Sequence, residues 1–187
     1  MQNVSFIEND GQLNEVYKQI EARVAQAHRT HPIWPCKKGC DACCRQLANP
    51  PEFTAVEWHH LYQGIQTLPK AIQFEISQKI VALAHRDEAE QSFVVCPLLD
   101  EEKGSCRVYT HRPAACRMYG FYVSRHNNQW CQLIEDLYQA GDLEGAMLGN
   151  HTAMKRFIRQ KFGDARSIVD WWQEKRPFPI SNQSQNS

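Results

Sequence analysis

Residues 36–44 read Cys-Lys-Lys-Gly-Cys-Asp-Ala-Cys-Cys, four thiols in nine positions. Three chemistries crowd cysteines in this way: disulfides, a reactive thiol, or a bound metal. Disulfides persist in oxidising compartments. The opening residues, MQNVSFIENDG, lack the basic segment and apolar stretch of a secretory leader. No uninterrupted apolar run approaches the roughly 18 residues that span a bilayer. The expectation is a cytoplasmic chain with no membrane partner. At 187 residues it is long enough to bury a core without the disulfide staples of small secreted folds. A disulfide framework is therefore the weaker reading and metal the stronger.

The spacing within the stretch favours metal. Cys36, Cys40 and Cys43, separated by three and two residues, can curl round one soft centre if the backbone bends, and Gly39 supplies that freedom. Cys43 and Cys44 cannot easily share an ion, because neighbouring side chains diverge by about 100° on a helix and oppose one another on a strand. One of them serves a second metal site or the core.

Four more cysteines follow. CPLLDEEKGSCRVYTHRPAACR sets Cys96, Cys106 and Cys116 at intervals of ten, and Cys131 stands beyond them. Arg112-Pro113 can open a short helix with Cys116 on its first turn, where the helix N-terminus would lower the thiol pKa. Arg45, Arg107 and Arg117 each directly follow a cysteine and would offset the negative charge of a thiolate centre. All eight cysteines are candidate metal ligands. Cys116 is the preferred fourth ligand to Cys36, Cys40 and Cys43, and Cys131 is the thiol most readily read as core. His59, His60 and His111 could each ligate, but no His-x-x-x-His pair falls on an expected helix.

Together the Cys36–Cys44 stretch and the Cys-Arg-Val-Tyr-x-x-Arg-Pro-x-x-Cys-Arg run resemble the cysteine-cluster family of zinc- or iron-chelating proteins, named for its CxxCxxCC motif and also called YkgJ-like. The resemblance covers residues 36–120, with a first gap of three residues where the motif has two. It implies a cysteine-ligated metal or iron–sulfur centre in a mostly bacterial, cytosolic protein, and it extends more distantly to a flagellin lysine methylase. Cys36-x-x-x-Cys40-x-x-Cys43 also imitates the cluster motif of radical S-adenosylmethionine enzymes. Ala42 stands where those usually carry an aromatic, no βα repeat follows, and 187 residues are short for their barrel. No glycine-rich nucleotide loop is present either.

The rest of the chain reads as helix. Leu13, Val16, Ile20, Val24 and Ala27 make an amphipathic stripe over 12–29, with Asn9 or Asp10 as caps. Thr54-x-x-Glu57 is a capping box opening a helix that Pro69 stops, and Ile72, Ile76, Ile80 and Leu83 mark another over 70–89. Helices over 132–140, 143–162 and 164–175 follow, the first two ending at Gly141 and Gly163. An apolar run at 92–99, and a short strand with a turn at Asn127-Asn128 within 120–130, lie between. In the last helix, one of Trp171 and Trp172 is expected buried and the other half exposed.

The fold expected is mainly α, a single compact domain over 1–177 with helices around an irregular cysteine-rich segment (36–131), at most a short β-hairpin, and a disordered tail at 178–187. Lys plus Arg and Asp plus Glu both total 21, so bulk charge does not point to nucleic acid. The basic run at 154–161 is read as a solvated helix face. The leading expectation is a metal-binding protein with an iron–sulfur centre, in electron transfer, sensing or assembly, with a protein partner possible, and not an enzyme on its own. A compact three-cysteine loop with a distant fourth ligand favours iron–sulfur, although zinc also accepts four thiolates. The alternatives are a zinc-stabilised interaction module and an S-adenosylmethionine-dependent lysine methylase-like enzyme.

Overall fold

The computed structural model describes residues 2–86, 93–124 and 131–174, with side chains from residue 10 onward. The first stripe does make a helix, α1 (Gln2–Thr30), and Leu13, Val16, Ile20 and Ala27 are buried along it. It begins at Gln2, ten residues before the start of the 12–29 stripe. Residues 2–8 contain no Gly or Pro to interrupt the backbone ladder, so Asn9 and Asp10 lie inside the helix. A single turn, α2 (Ala42–Arg45), carries Cys43 and Cys44.

The capping box holds. Glu57 Oε2 accepts from the backbone N–H of Thr54 at 3.0 Å and from its hydroxyl at 2.9 Å, starting α3 (Ala55–Gln66). Pro69 separates it from α4 (Lys70–Ala84), which ends five residues short of expectation in a turn at His85. Residues 87–89, the Asn127-Asn128 turn and the 178–187 tail lie outside the described residues.

Among the described residues, strand is limited to three two-residue pairs. β2 (Leu99–Asp100) and β3 (Ser105–Cys106) form the one hairpin. The other two join distant segments that periodicity cannot announce: β1 (Glu52–Phe53) lies antiparallel to β6 (Arg166–Ser167), and β4 (Tyr122–Val123) parallel to β5 (Gly149–Asn150). The apolar run at 92–99 adds an isolated bridge between Val94 and Leu47. A 3₁₀ turn (Tyr109–His111) precedes α5 (Ala114–Met118). α6 (Gln132–Gln139) ends as expected, with Gly141 at φ +80°.

The last two helices are shorter than read. α7 (His151–Phe162) starts eight residues late, because Gly145 turns the chain at φ +75° and Asn150 supplies the cap, its Oδ1 accepting from Ala153 N at 2.9 Å. α8 (Ile168–Glu174) starts four late, since residues 166–167 are drawn into the β1 pair and Ser167 and Asp170 cap each other. Both tryptophans of α8 are buried, not one: Trp171 donates its indole N–H to Phe53 O at 2.8 Å, and Trp172 meets Trp58 edge-on.

Among the described residues the mainly α chain has two cores. The first joins α1, Trp34, α5, Phe121, Tyr122, Ile134 and Ile158. The second joins Phe53, α3, α4, Leu98, Leu99, Val108 and α8. α3 serves both, with Val56 in the first and Trp58, Leu61 and Ile65 in the second. Each fully buried aliphatic side chain contributes at most about 1.5–3 kcal/mol. Among the described residues no helix is long and apolar enough to cross a membrane.

Candidate metal centre

The cysteine-rich segment lies along the seam between the cores. In the 36–44 loop, Cys40 N bonds Lys37 O, Gly39 turns at φ +94°, and Asp41 O accepts from both Cys44 N and Arg45 N to form α2. Cys96 N then donates to Cys44 O at 2.7 Å, and Leu47 and Val94 exchange both backbone bonds. This fastens the loop to the segment that leads into the hairpin. The β2–β3 register sets Cys106 opposite Leu99.

α5 is placed from a distance. The other oxygen of the Glu57 carboxylate, Oε1, accepts from Ala114 N at 2.9 Å, so one buried side chain starts α3 and holds the start of α5 across 57 residues. Cys116 follows two residues later. After α5 the chain crosses directly over Cys36: a Cβ at Gly120 (φ +81°) would lie 2.5 Å from Cys36 Sγ and 3.7 Å from Ile134.

A cavity of about 210 Å³ opens here. Cys36, Cys40, Cys43 and Cys116 share its wall with Lys37, Lys38, Arg112, Arg117, His28 and Tyr119. All eight cysteines are free thiols. Cys131 stands next to this group, since it packs with Cys36 against the first core, whereas Cys44, Cys96 and Cys106 belong to the second. The side chains of Cys43 and Cys44 hydrogen-bond each other, and Cys44 also bonds Cys96. The adjacent pair thus faces two different surroundings while remaining in contact.

Burial favours the neutral thiols. Desolvation, then Cys131, Cys40 and Cys43, push Cys36 up to about 12. Cys44 is lowered by its bond with Cys43, but Cys96, burial and Cys106 push it up to about 12. Cys43 rises through its bond with Cys44 and through burial. Cys116 rises as well, which overturns the lowering expected of a helix N-terminus: desolvation and the neighbouring thiols outweigh a five-residue helix. Cys116 retains some accessible surface although protein encloses it, and that surface is the cavity wall.

The arginines after cysteines turn out to be tethers. Arg45 pairs with Asp41 at 2.6 Å and reaches Glu101 O, tying the loop to the hairpin tip. Arg107 grips Glu75 through two bonds, at 2.7 and 3.0 Å. Arg117 pairs with Glu21 at 2.7 Å and stacks on Tyr17. The guanidinium whose charge lowers Cys43, Cys106 and Cys116 is Arg112, held 3.5 Å above the Tyr109 ring and in no ion pair among the described residues. Its signal was the Arg-Pro that constrains the chain before α5. His28, also missed, donates its Nε2–H to Cys36 O at 3.0 Å from its place on α1. The His60 and His111 rings lie tilted against each other at 4.8 Å between centroids, His59 bonds Gln63, and none of the three lines the cavity.

A soft metal fits these residues in donor type and number. No three Cys, His, Asp or Glu side chains among the described residues converge on one point at ligand range, so a bound ion would gather sulfurs by rotation about Cα–Cβ. The cation would also supply the charge that ionises buried thiols. The Trp34 indole N–H is buried with no hydrogen-bond partner at full strength, yet it already lowers the Cys36 thiol against the larger upward causes. A thiolate at Cys36 would give it the acceptor it lacks.

These features define a helical cysteine-cluster protein with eight free thiols. The model of the CxxCxxCC family, described as "Putative zinc- or iron-chelating domain", matches residues 35–134, just over half the chain. The chain belongs to this family. The match includes Cys131, which the sequence resemblance had left outside. No curated protein and no solved structure matches the chain.

Proposed function

We propose that the cavity holds an iron–sulfur centre ligated by Cys36, Cys40 and Cys43 with one further thiol, and that the protein works in electron transfer or redox sensing in the cytoplasm. The observation that carries this reading is the shared wall: three cysteines of one short loop and a distant fourth, facing one cation-rimmed cavity. When bound, such a centre supplies one-electron chemistry, with a potential set by hydrogen bonds to sulfur and by exposure.

The chain's own residues have definable tasks here. Trp34 offers an N–H to Cys36, Arg112 offsets thiolate charge, and His28 pins the Cys36 carbonyl. Gly120 lets the chain close over the Cys36 sulfur. Reducing conditions keep eight thiols available. Purification without oxygen should yield a coloured protein with iron and acid-labile sulfide. Zinc alone, with no visible absorbance, would refute the iron–sulfur reading.

A further inference from the structure

We infer that the cationic wall of the cavity is a binding site for a small ligand bearing a carboxylate or phosphate, with Arg112 as its main contact and Lys37, Lys38 and Tyr119 beside it. Such a site goes beyond the iron–sulfur reading and stands without it, since none of these side chains is a sulfur donor. At about 210 Å³ the cavity is below the roughly 300–1,000 Å³ of pockets for drug-sized ligands, so the ligand is small.

The charge on this wall is local and unspent. The chain as a whole is balanced, with 21 Lys and Arg against 21 Asp and Glu. Among the described residues, however, the cavity is lined by Lys37, Lys38, Arg112 and Arg117 against Glu21 alone. Arg117 and Glu21 satisfy each other at 2.7 Å. Lys37, Lys38 and Arg112 make no ion pair with a described residue.

Arg112 is also held in advance. Its Nε donates to Tyr109 O at 3.0 Å, and its guanidinium lies 3.5 Å from the centre of the Tyr109 ring. Little rotamer freedom is then left to lose on binding. Its two terminal nitrogens make no hydrogen bond with a described residue. Arg117 is the contrast, with Nε, Nη1 and Nη2 taken by Arg112 O, Glu21 and Thr110 O. A fixed guanidinium with both terminal N–H groups free matches two oxygens of a carboxylate or phosphate, whereas an ammonium acts only as a point charge. Lys38 approaches the same Tyr109 ring at 6.0 Å, and Lys37 adjoins it in the exposed loop. The Tyr119 hydroxyl, also without a hydrogen bond to a described residue, adds a donor on the cavity wall. Offsetting thiolate charge would need a cation nearby, but not a fork held ready.

The test uses the full chain purified without oxygen, its metal content recorded. Inorganic phosphate and succinate are titrated separately at constant ionic strength, followed by calorimetry and by thermal melts. Saturable binding of at least one, with a rise in Tm, is expected, and the tighter of the two tells a phosphate-bearing ligand from a carboxylic acid. Arg112→Lys keeps the charge and loses the fork; it should weaken binding about 10-fold at unchanged metal content. Should that variant fail to fold, the double variant Lys37→Gln, Lys38→Gln changes only exposed side chains and should weaken binding in the same direction. Affinity equal to the parent's in whichever variant folds would overturn the site. So would binding of neither anion, including the case where a hexaglutamate peptide binds instead and the wall is a docking surface for an acidic protein. Anion binding by a chain found to carry zinc and no iron would defeat the iron–sulfur reading and support this site.

Discussion

The two sides of the cysteine segment are held by different means. Towards the second core the thiols ride on a hydrogen-bonded frame, in which the Leu47–Val94 bridge, the Cys96 N to Cys44 O bond and the β2–β3 hairpin fix the backbone before any metal is considered. Towards the first core they ride on a loop and on the residue preceding α6, and much of what positions them is side chain: Trp34 stacked on Phe121 at 5.4 Å, Tyr119, His28, and the gap left by Gly120. A backbone frame holds its thiols in place whatever they bind. A setting made of side chains and water-accessible cavity can tune a centre and expose it.

The largest effect is expected where both sides meet. Glu57→Ala strips a buried acceptor from three donors, Thr54 N, Thr54 Oγ1 and Ala114 N. It should cost about 3–5 kcal/mol, a fall in Tm of about 6–20 °C, with Cys116 loosened in the cavity wall. Thermal melts of Glu57→Ala beside Glu57→Gln, which retains one acceptor, check this. Parity of the two with the parent would show that α5 is anchored otherwise.

Next come two glycines with left-handed backbone, one on each side. Gly120→Ala drives a methyl group into Cys36 Sγ from φ +81° and should cost about 2 kcal/mol and lower the metal content. Gly104→Ala, at φ +59°, meets only the movable end of Asp41 at 3.3 Å. It should cost about 1 kcal/mol and leave metal content intact. Equal metal loss in both would erase the contrast. A smaller change, Trp34→Phe, removes the N–H that faces Cys36 while keeping most of the ring, at about 1 kcal/mol. A shifted reduction potential with full iron content is the outcome expected.

The smallest effect concerns the hairpin tether. Bonds from Arg107, then from Lys79, hold Glu75 below the usual carboxylate range, though the carboxylate is well exposed and screened. Its depressed pKa means that the stabilisation is present above the unfolded carboxylate pKa and lost as pH falls through the folded one. Glu75→Gln should therefore cost less than about 1 kcal/mol at pH 7, and denaturant midpoints of variant and parent should converge in acid.

Local signals in the sequence carried far. The Thr54-x-x-Glu57 box started α3 where it was read, and Gly141 ended α6, because each feature is satisfied within one turn of chain. What stayed hidden was non-local. Nothing near Glu57 says that its second oxygen reaches Ala114, and no alternation marks two-residue strands such as Glu52–Phe53 or Gly149–Asn150. The arginines beside cysteines looked like counter-charges, but adjacency in sequence turned the guanidinium of each towards a carboxylate. Arg112, four residues before Cys116, bears the field. Cys131 looked like a core thiol because its neighbour Cys36 is 95 positions away in the chain, beyond the reach of any spacing argument.

That separation also sets a clock. At a synthesis rate of about 5–20 residues per second, the loop with Cys36 precedes Cys131 out of the ribosome by about 5–20 seconds. The second core cannot close until Ile168 N meets Pro51 O and β6 pairs with β1, later still. For that interval the nascent chain displays its densest thiols with no partner surface to cover them. Oxygen, peroxide or an ill-suited ion then has its best opportunity during translation, before the folded protein exists.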